Sequence, residues 1–340
     1  MGLLTRQPLL GLTLQELQGL CQSEGMPRFA ARQMCDWLYK KRATDVAQMS
    51  NISLANRARL AERFEVGHSE PVGCQVSADG TKKYLFDTAA GAVETVFIPD
   101  ADRATLCVSC QVGCKMGCAF CVTGQQGFHG SLSAAEILNQ IFSIPESEQL
   151  TNIVFMGMGE PMDNLDAVLA ACAALTADWG LGWSPKRITV STVGLLPGLK
   201  RFLEESRCHL AVSLHDPIAS ERLRLMPVQR AYPIDEVLSL LRGYDWSGQR
   251  RLSFEYTMFA GLNDDRAHAE ALVEMLGGLE CRVNLIRFHE SAEAPFRTST
   301  PTAIKSFCDY LNRHGLTCTL RASRGQDIDA ACGLLAGRKG

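Results

Sequence analysis

The stretch at residues 107–128, CVSCQVGCKMGCAFCVTGQQGF, constrains this chain more than any other. It places five of the chain's 14 cysteines within fifteen residues. Cys114, Cys118 and Cys121 have the spacing C-x3-C-x2-C. Three thiolates can hold three irons of a 4Fe-4S cube and leave the fourth iron open to a small ligand, which suits chemistry better than full ligation does. Phe120, just before the third cysteine, would shield such a cluster. A zinc knuckle and buried free thiols are the alternatives. Structural zinc takes four ligands, usually from paired short spacings, and the chain has no H-x3-H partner.

Composition narrows the class. Apolar residues make up 46% and charged residues 21%, as in a globular enzyme of one large domain or two. The net charge of −3 gives no global signal for nucleic acid, so any RNA surface must be a local patch. The start MGLLTRQPLLG is too short and too broken for a signal peptide, and no apolar run approaches a membrane span. Free cysteines with no secretory signal imply a reducing compartment, hence a cytoplasmic protein away from membranes.

Residues 1–66 read as a helical module. Thr13-x-x-Glu16 is a capping box, and Phe29, Ala30, Met34, Trp37 and Leu38 form an apolar stripe. Arg57, Arg59 and Arg63 on the third helix suit either a solvated face or a phosphate-contacting patch. Residues 67–100 change to short strands at 70–76, 82–87 and 92–98, a β-meander with turn signals between them. Glu94 stands among apolar neighbours in GAVETVFIP, where a carboxylate is costly unless paired or functional.

From residue 101 to 322, strands alternate with helices. Strands are expected at 105–109, 151–156, 187–192, 208–213, 251–257, 282–287 and 317–321. Helices are expected at 133–145, 164–176, 195–204, 233–242, 265–277 and 301–314, with 217–225 left uncounted. Such alternation predicts a parallel sheet with right-handed crossovers. The fold class is α/β, a partial TIM-like (βα)6 barrel, with a flat doubly wound sheet as the alternative. In both, ligands bind at the C-terminal ends of the strands.

The informative residues fall at those ends. Gly157 and Gly159 in GMGEPMDN let backbone approach a ligand, and Glu160 can accept from an ammonium group. Ser191 and Thr192 in STVG suit ribose or carboxylate hydrogen bonds, or simple local capping. Ser213, Leu214 and His215 follow one apolar strand, and His289 follows another. Residues 323–340 carry Arg324, Gly325 and Cys332 past the last strand, as an active-site flap or as a helix with one buried cysteine.

Taken together, CVSCQVGCKMGCAFCVTGQQGF, GMGEPMDNLD, RITVSTVG, SLH and RGQDIDAACG resemble the RlmN/Cfr family of radical S-adenosylmethionine (SAM) RNA adenine methyltransferases, on its RlmN side. The resemblance implies a 4Fe-4S cluster on Cys114, Cys118 and Cys121. It implies a SAM site lined by Gly159, Glu160, Ser191, Ser213, Leu214, His215 and His289, the last standing where the family's asparagine is expected. It implies that Cys332 carries the methyl group, that Cys107 resolves the covalent intermediate through a transient disulfide, and that Glu94 is the base. Two SAM molecules would serve each methylation. The partners implied are 23S rRNA and tRNA, with flavodoxin or ferredoxin as electron donor and a monomeric enzyme. Carbon 2 of adenosine is the expected target, with a Cfr-like carbon-8 reaction as the alternative. A non-catalytic RNA-binding zinc or iron-sulfur protein is the alternative of another class. Cys110 stands where the family has serine and has no assigned role.

Overall fold

The computed structural model describes residues 6–248, 250–290 and 294–337. The outermost residues of the first and last predicted segments, 1–5 and 338–340, lie outside it. The N-terminal module comprises β1 (Gln7–Pro8), α1 (Leu14–Ser23), α2 (Ala30–Cys35), α3 (Leu54–Arg63) and β2 (Phe64–Glu65). Parallel pairing of β1 with β2 ties its two ends together. The capping box forms as expected. Thr13 N donates to Glu16 Oε2 at 2.7 Å, and Glu16 N donates back to Thr13 Oγ1 at 3.3 Å. Met34 and Leu38 are buried, but Phe29 is 67% exposed because it only caps α2. The third-helix arginines have intramolecular partners. Arg63 pairs with Glu24 at 2.6 Å, Arg59 bonds Asn56 at 2.5 Å, and Arg57 donates to the Ala47 carbonyl.

The meander forms β3 (Gly73–Val76), β4 (Lys82–Thr88) and β5 (Gly91–Asp100). It continues into the core, because β5 pairs antiparallel with β6 (Arg103–Cys107). A small antiparallel pair follows, β7 (Gln111–Gly113) with β8 (Phe128–Ser131), enclosing the short helix α4 (Val122–Gln125). Then come α5 (Ala134–Phe142), β9 (Asn152–Phe155), α6 (Leu165–Thr176), β10 (Ile188–Thr192), α7 (Leu196–Glu205) and β11 (His209–Ser213). The chain continues through α8 (Ala219–Leu225), α9 (Ile234–Arg242), β12 (Leu252–Met258), α10 (Arg266–Leu276), β13 (Arg282–Arg287), α11 (Pro301–Arg313) and β14 (Thr317–Leu320). The uncounted segment at 217–225 is therefore helical over α8.

These strands make one ten-stranded sheet ordered β14-β13-β12-β11-β10-β9-β6-β5-β4-β3. From β6 to β14 neighbouring strands are parallel and follow chain order. A doubly wound sheet reverses its order at a switch point, and this one does not, so the partial barrel stands. Among the described residues β14 and β3 do not pair, so the barrel is open on one side. Every residue of β12 is buried, as helices covering a parallel sheet require. A continuous apolar core runs from the N-terminal module through the sheet to α11.

Candidate active site

The cysteine loop hangs between β7 and β8. Gly113 opens it at φ +72°, and a Cβ there would lie 1.8 Å from the Gly127 carbonyl oxygen. That approach lets Cys114 N donate to Gly127 O at 2.9 Å, closing the loop. Ala119 N donates to Leu225 O, which fastens the loop to the end of α8. Cys114, Cys118 and Cys121 then line one cavity of about 150 Å³ with residues from the ends of the parallel strands. Burial pushes the Cys114 thiol up to about 12 and raises Cys118 and Cys121 as well. Three such thiols need a bound metal to ionise. The three Sγ atoms do not all lie within 4.8 Å of one another. Thiolates on one zinc ion sit about 3.8 Å apart, by tetrahedral geometry with Zn–S near 2.3 Å. The wider spread fits ligands to different irons of a cluster. Cys107 and Cys110 form a second C-x2-C spacing, but neither lines the cavity. Cys110 is 2% exposed, and its carbonyl accepts from Leu132 N and Asn164 Nδ2, so it packs the base of the loop.

Across the cavity stand Gly159, Glu160, Ser191, Ser213 and His215. Gly159 has φ +99°, and a Cβ would meet Gln111 atoms at 2.5–2.8 Å. The buried Glu160 carboxylate accepts from Thr192 Oγ1 at 2.6 Å, Met162 N at 3.0 Å and Val193 N at 3.0 Å. Burial pushes Glu160 up to about 7, against the pull of those hydrogen bonds. His215 Nδ1 accepts from Thr257 N at 2.9 Å, so its neutral ring carries the proton on Nε2. Burial, with Arg222 nearby, lowers it to about 3, and Phe120 meets its ring edge-on at 4.8 Å. Leu214 is fully buried behind the lining. His289 is also outside the lining; its Nε2 lies 3.0 Å from Ser323 Oγ, while its neighbour Phe288 faces the cavity.

The C-terminal tail closes the site. Cys332, Gly333 and Leu335 line the same cavity as the triplet. Val122 N donates to Gly333 O at 2.8 Å. Cys332 is exposed, so of the two expected forms the flap is the one observed. Cys107 ends β6, buried, its thiol pushed up to about 12 first by burial and then by Cys332. Both cysteines are free thiols. Arg321 lies among Glu255, Cys332 and Cys107, which raise it against the opposing effect of burial. Glu94 does not line the cavity. Its carboxylate is paired with Lys83 Nζ at 3.2 Å and accepts from Ala336 N at 2.7 Å.

Two family models match the chain: the ribosomal RNA large subunit methyltransferase N-terminal domain over residues 7–66, and the radical SAM superfamily over residues 108–273. A probable dual-specificity RNA methyltransferase RlmN from Porphyromonas gingivalis is 58% identical over 97% of this chain and 97% of that protein. Dual-specificity RNA methyltransferase RlmN from Alkalilimnicola ehrlichii is 44% identical over 97% and 94%. The crystal structure of a radical SAM methyltransferase from Sphaerobacter thermophilus superposes with a TM-score of 0.91 at 40% identity, covering 98% of this chain and all of that one.

The chain belongs to the RlmN family. It is thus a radical SAM RNA methyltransferase, and membership implies a 4Fe-4S cluster, SAM and an RNA substrate. The residues that hold an RlmN-type site in shape include several with no motif. Arg222 is fully buried on α8. It donates to the carbonyls of Leu214, Val193 and Ser213 at 3.1 Å each and to Gln229 at 2.5 Å. No sequence signal marks it, because a short segment with two arginines and two leucines reads as surface. Glu255 sits in the fully buried β12, accepting from Asn284 Nδ2 at 2.8 Å and facing Arg321 at 3.4 Å. An acid inside LSFEYTM was the available signal. Outside the cavity lining, His268 lies between Asp265, 2.7 Å from Nδ1, and Glu221, 3.1 Å from Nε2. Carboxylates facing both ring nitrogens suit an imidazolium, and they raise its pKa although burial opposes them.

Proposed function

We propose that this chain methylates carbon 2 of an adenosine in 23S rRNA and of the adenosine 3′ to the anticodon in tRNA. The observation that carries this reading is the position of Cys332 in the cavity that also holds the three loop cysteines, close enough to Cys107 to add to the effect of burial in raising the Cys107 thiol. One cluster would sit on Cys114, Cys118 and Cys121. When bound, the cluster and two SAM molecules per turnover supply the methyl group and the radical chemistry that an unreactive aromatic carbon demands.

The chain's own residues do the rest. Cys332 carries the methyl group on its sulfur and presents it to the base. Glu160, Ser191, Ser213 and His215 orient SAM, with Gly159 giving its backbone room. Leu214 supports that wall from behind, and His289 approaches it from the rim. Glu94 removes the proton from the alkylated base. Its pairing with Lys83 and its bond to Ala336 N set it beside the tail. The Cys107 thiolate then attacks the Cys332 sulfur, forming the disulfide as the bond from that sulfur to the methylene carbon breaks; that carbon takes the electron pair and a proton to become the product's methyl group, and a thiol reductant restores both cysteines. A base must leave its stack to enter such a site.

Residues 1–66 would contact RNA, 67–100 would support the tail, 101–322 would form the catalytic core, and 323–340 would form the catalytic tail. A flavodoxin or ferredoxin would reduce the cluster, and the enzyme would act as a cytoplasmic monomer. No described helix is long and apolar enough to cross a membrane. The test is anaerobic turnover of reconstituted protein on rRNA fragments and tRNA, with nucleosides identified by mass spectrometry. Expected is 2-methyladenosine in both, dependent on SAM and reductant. Only 8-methyladenosine would overturn the regiochemistry, and bound zinc without iron would overturn the enzyme.

A further inference from the structure

The sheet ends at β14 on one edge and β3 on the other, and among the described residues no strand pairing closes it. The tail leaves β14 and reaches the turn between β3 and β4 at the opposite edge. There two aspartates exchange backbone hydrogen bonds. Asp79, on the turn, accepts from Gly325 N of the tail at 3.0 Å. Asp327, on the tail, accepts from Ala78 N of the turn at 3.1 Å and from Ser77 Oγ at 2.5 Å. Gly325 has φ +60°, and a Cβ there would lie 2.8 Å from Ala330 and 2.9 Å from Thr81, so the segments approach as closely as glycine allows.

We propose that Asp79 and Asp327 form a reciprocal clamp that positions the thiol of Cys332. Just beyond the clamp, Lys83 Nζ reaches the Asp329 carbonyl at 3.5 Å as well as Glu94. On the far side of Cys332, Ala336 N is held by Glu94 and the Leu335 carbonyl by Thr123. The cysteine therefore rides on a short span fixed at both ends. A tail free at residues 325–329 would be tethered at one end only, and the thiol would sweep a larger volume. Proximity catalysis is sensitive to a misplacement of about 1 Å, worth about 100-fold in the extreme. Asp79 and Asp327 are exposed and touch no reacting atom, so they are positioning residues.

The proposal rests on the reading that Cys332 carries the methyl group, and the test separates the two. Full-length, cluster-loaded Asp79→Ala, Asp327→Ala, the double variant and Asp79→Asn are compared with the parent. Amide hydrogen exchange is followed over residues 330–336, with kcat and KM for an rRNA fragment. The alanine variants are expected to exchange about tenfold faster there and to lose about 5- to 10-fold in kcat, with KM and iron content unchanged. Asp79→Asn keeps an oxygen acceptor and is expected to retain most activity. The double variant is expected to lose little more than either single, as for two halves of one device. Unchanged exchange at 330–336, unchanged kcat, or additive losses that track iron content would overturn the clamp. The carrier reading fails on a different residue, if Cys332→Ala still transfers methyl groups.

Discussion

Thr123, the second residue of α4 and two residues after Cys121, donates its Oγ1 to the Leu335 carbonyl at 2.6 Å, in a buried contact spanning 212 positions. The cysteine loop and the tail are thus one site held by direct hydrogen bonds. Thr123→Ala leaves that carbonyl without its partner, at a cost of about 1–2 kcal/mol to tail docking. Methyl transfer should fall about tenfold while iron content stays at the parent level. Iron analysis beside a single-turnover assay checks this.

Cys332→Ala should abolish methyl transfer to RNA and leave the cluster's absorbance intact, because Cys332 lines the cavity apart from the triplet. Cys107→Ala should stop the reaction later, with protein and RNA joined. A denaturing gel would show an RNA-shifted band for Cys107→Ala and none for Cys332→Ala.

Glu160 should make SAM binding depend on pH. Its folded value of about 7 lies above its ordinary 4.5 because burial disfavours the charge. An ammonium group needs the carboxylate, so SAM affinity should fall as pH drops below 7, by up to about tenfold per unit. Stability runs the other way. A carboxyl raised by folding binds its proton more tightly in the native state, so its contribution is greatest at low pH and is lost as pH rises through 7. Glu160→Gln should flatten both trends. SAM titrations and thermal melts between pH 6 and 8 test the pair.

Gly159→Ala should destabilise the protein by about 2–3 kcal/mol, from overpacking against Gln111 and an unfavourable positive φ. SAM binding should be lost with it. Denaturant unfolding and a binding titration are the measurements.

Arg222→Met should cost about 2–4 kcal/mol, because each buried acceptor left without a donor costs about 1–3 kcal/mol, partly offset by the removed desolvation of the guanidinium. Four acceptors on the Val193, Ser213 and Leu214 backbone and on Gln229 lose their donor together. The expected sign is a lower denaturation midpoint with an unchanged denaturant dependence.

Much of this was legible in the chain. The capping box at Thr13, the alternation of strands and helices, and the C-x3-C-x2-C triplet are local patterns, and local backbone and spacing rules determine them. The parallel sheet followed, since crossovers of that length leave few topologies. The helix α8 was harder to read, because its register is set by the single buried Arg222 rather than by an apolar stripe.

The sequence by itself determined the alternation of elements, the C-x3-C-x2-C motif and the family. It could not determine that the meander's turn grips the tail, that Glu94 is paired with Lys83, or that Leu214 and His289 stand off the cavity while Glu255 and Arg321 line it. Those relations join residues far apart in the chain, and no local periodicity encodes them. They arise when the open barrel brings its two edges and the cysteine loop together, and buried charges there must find partners or remain neutral.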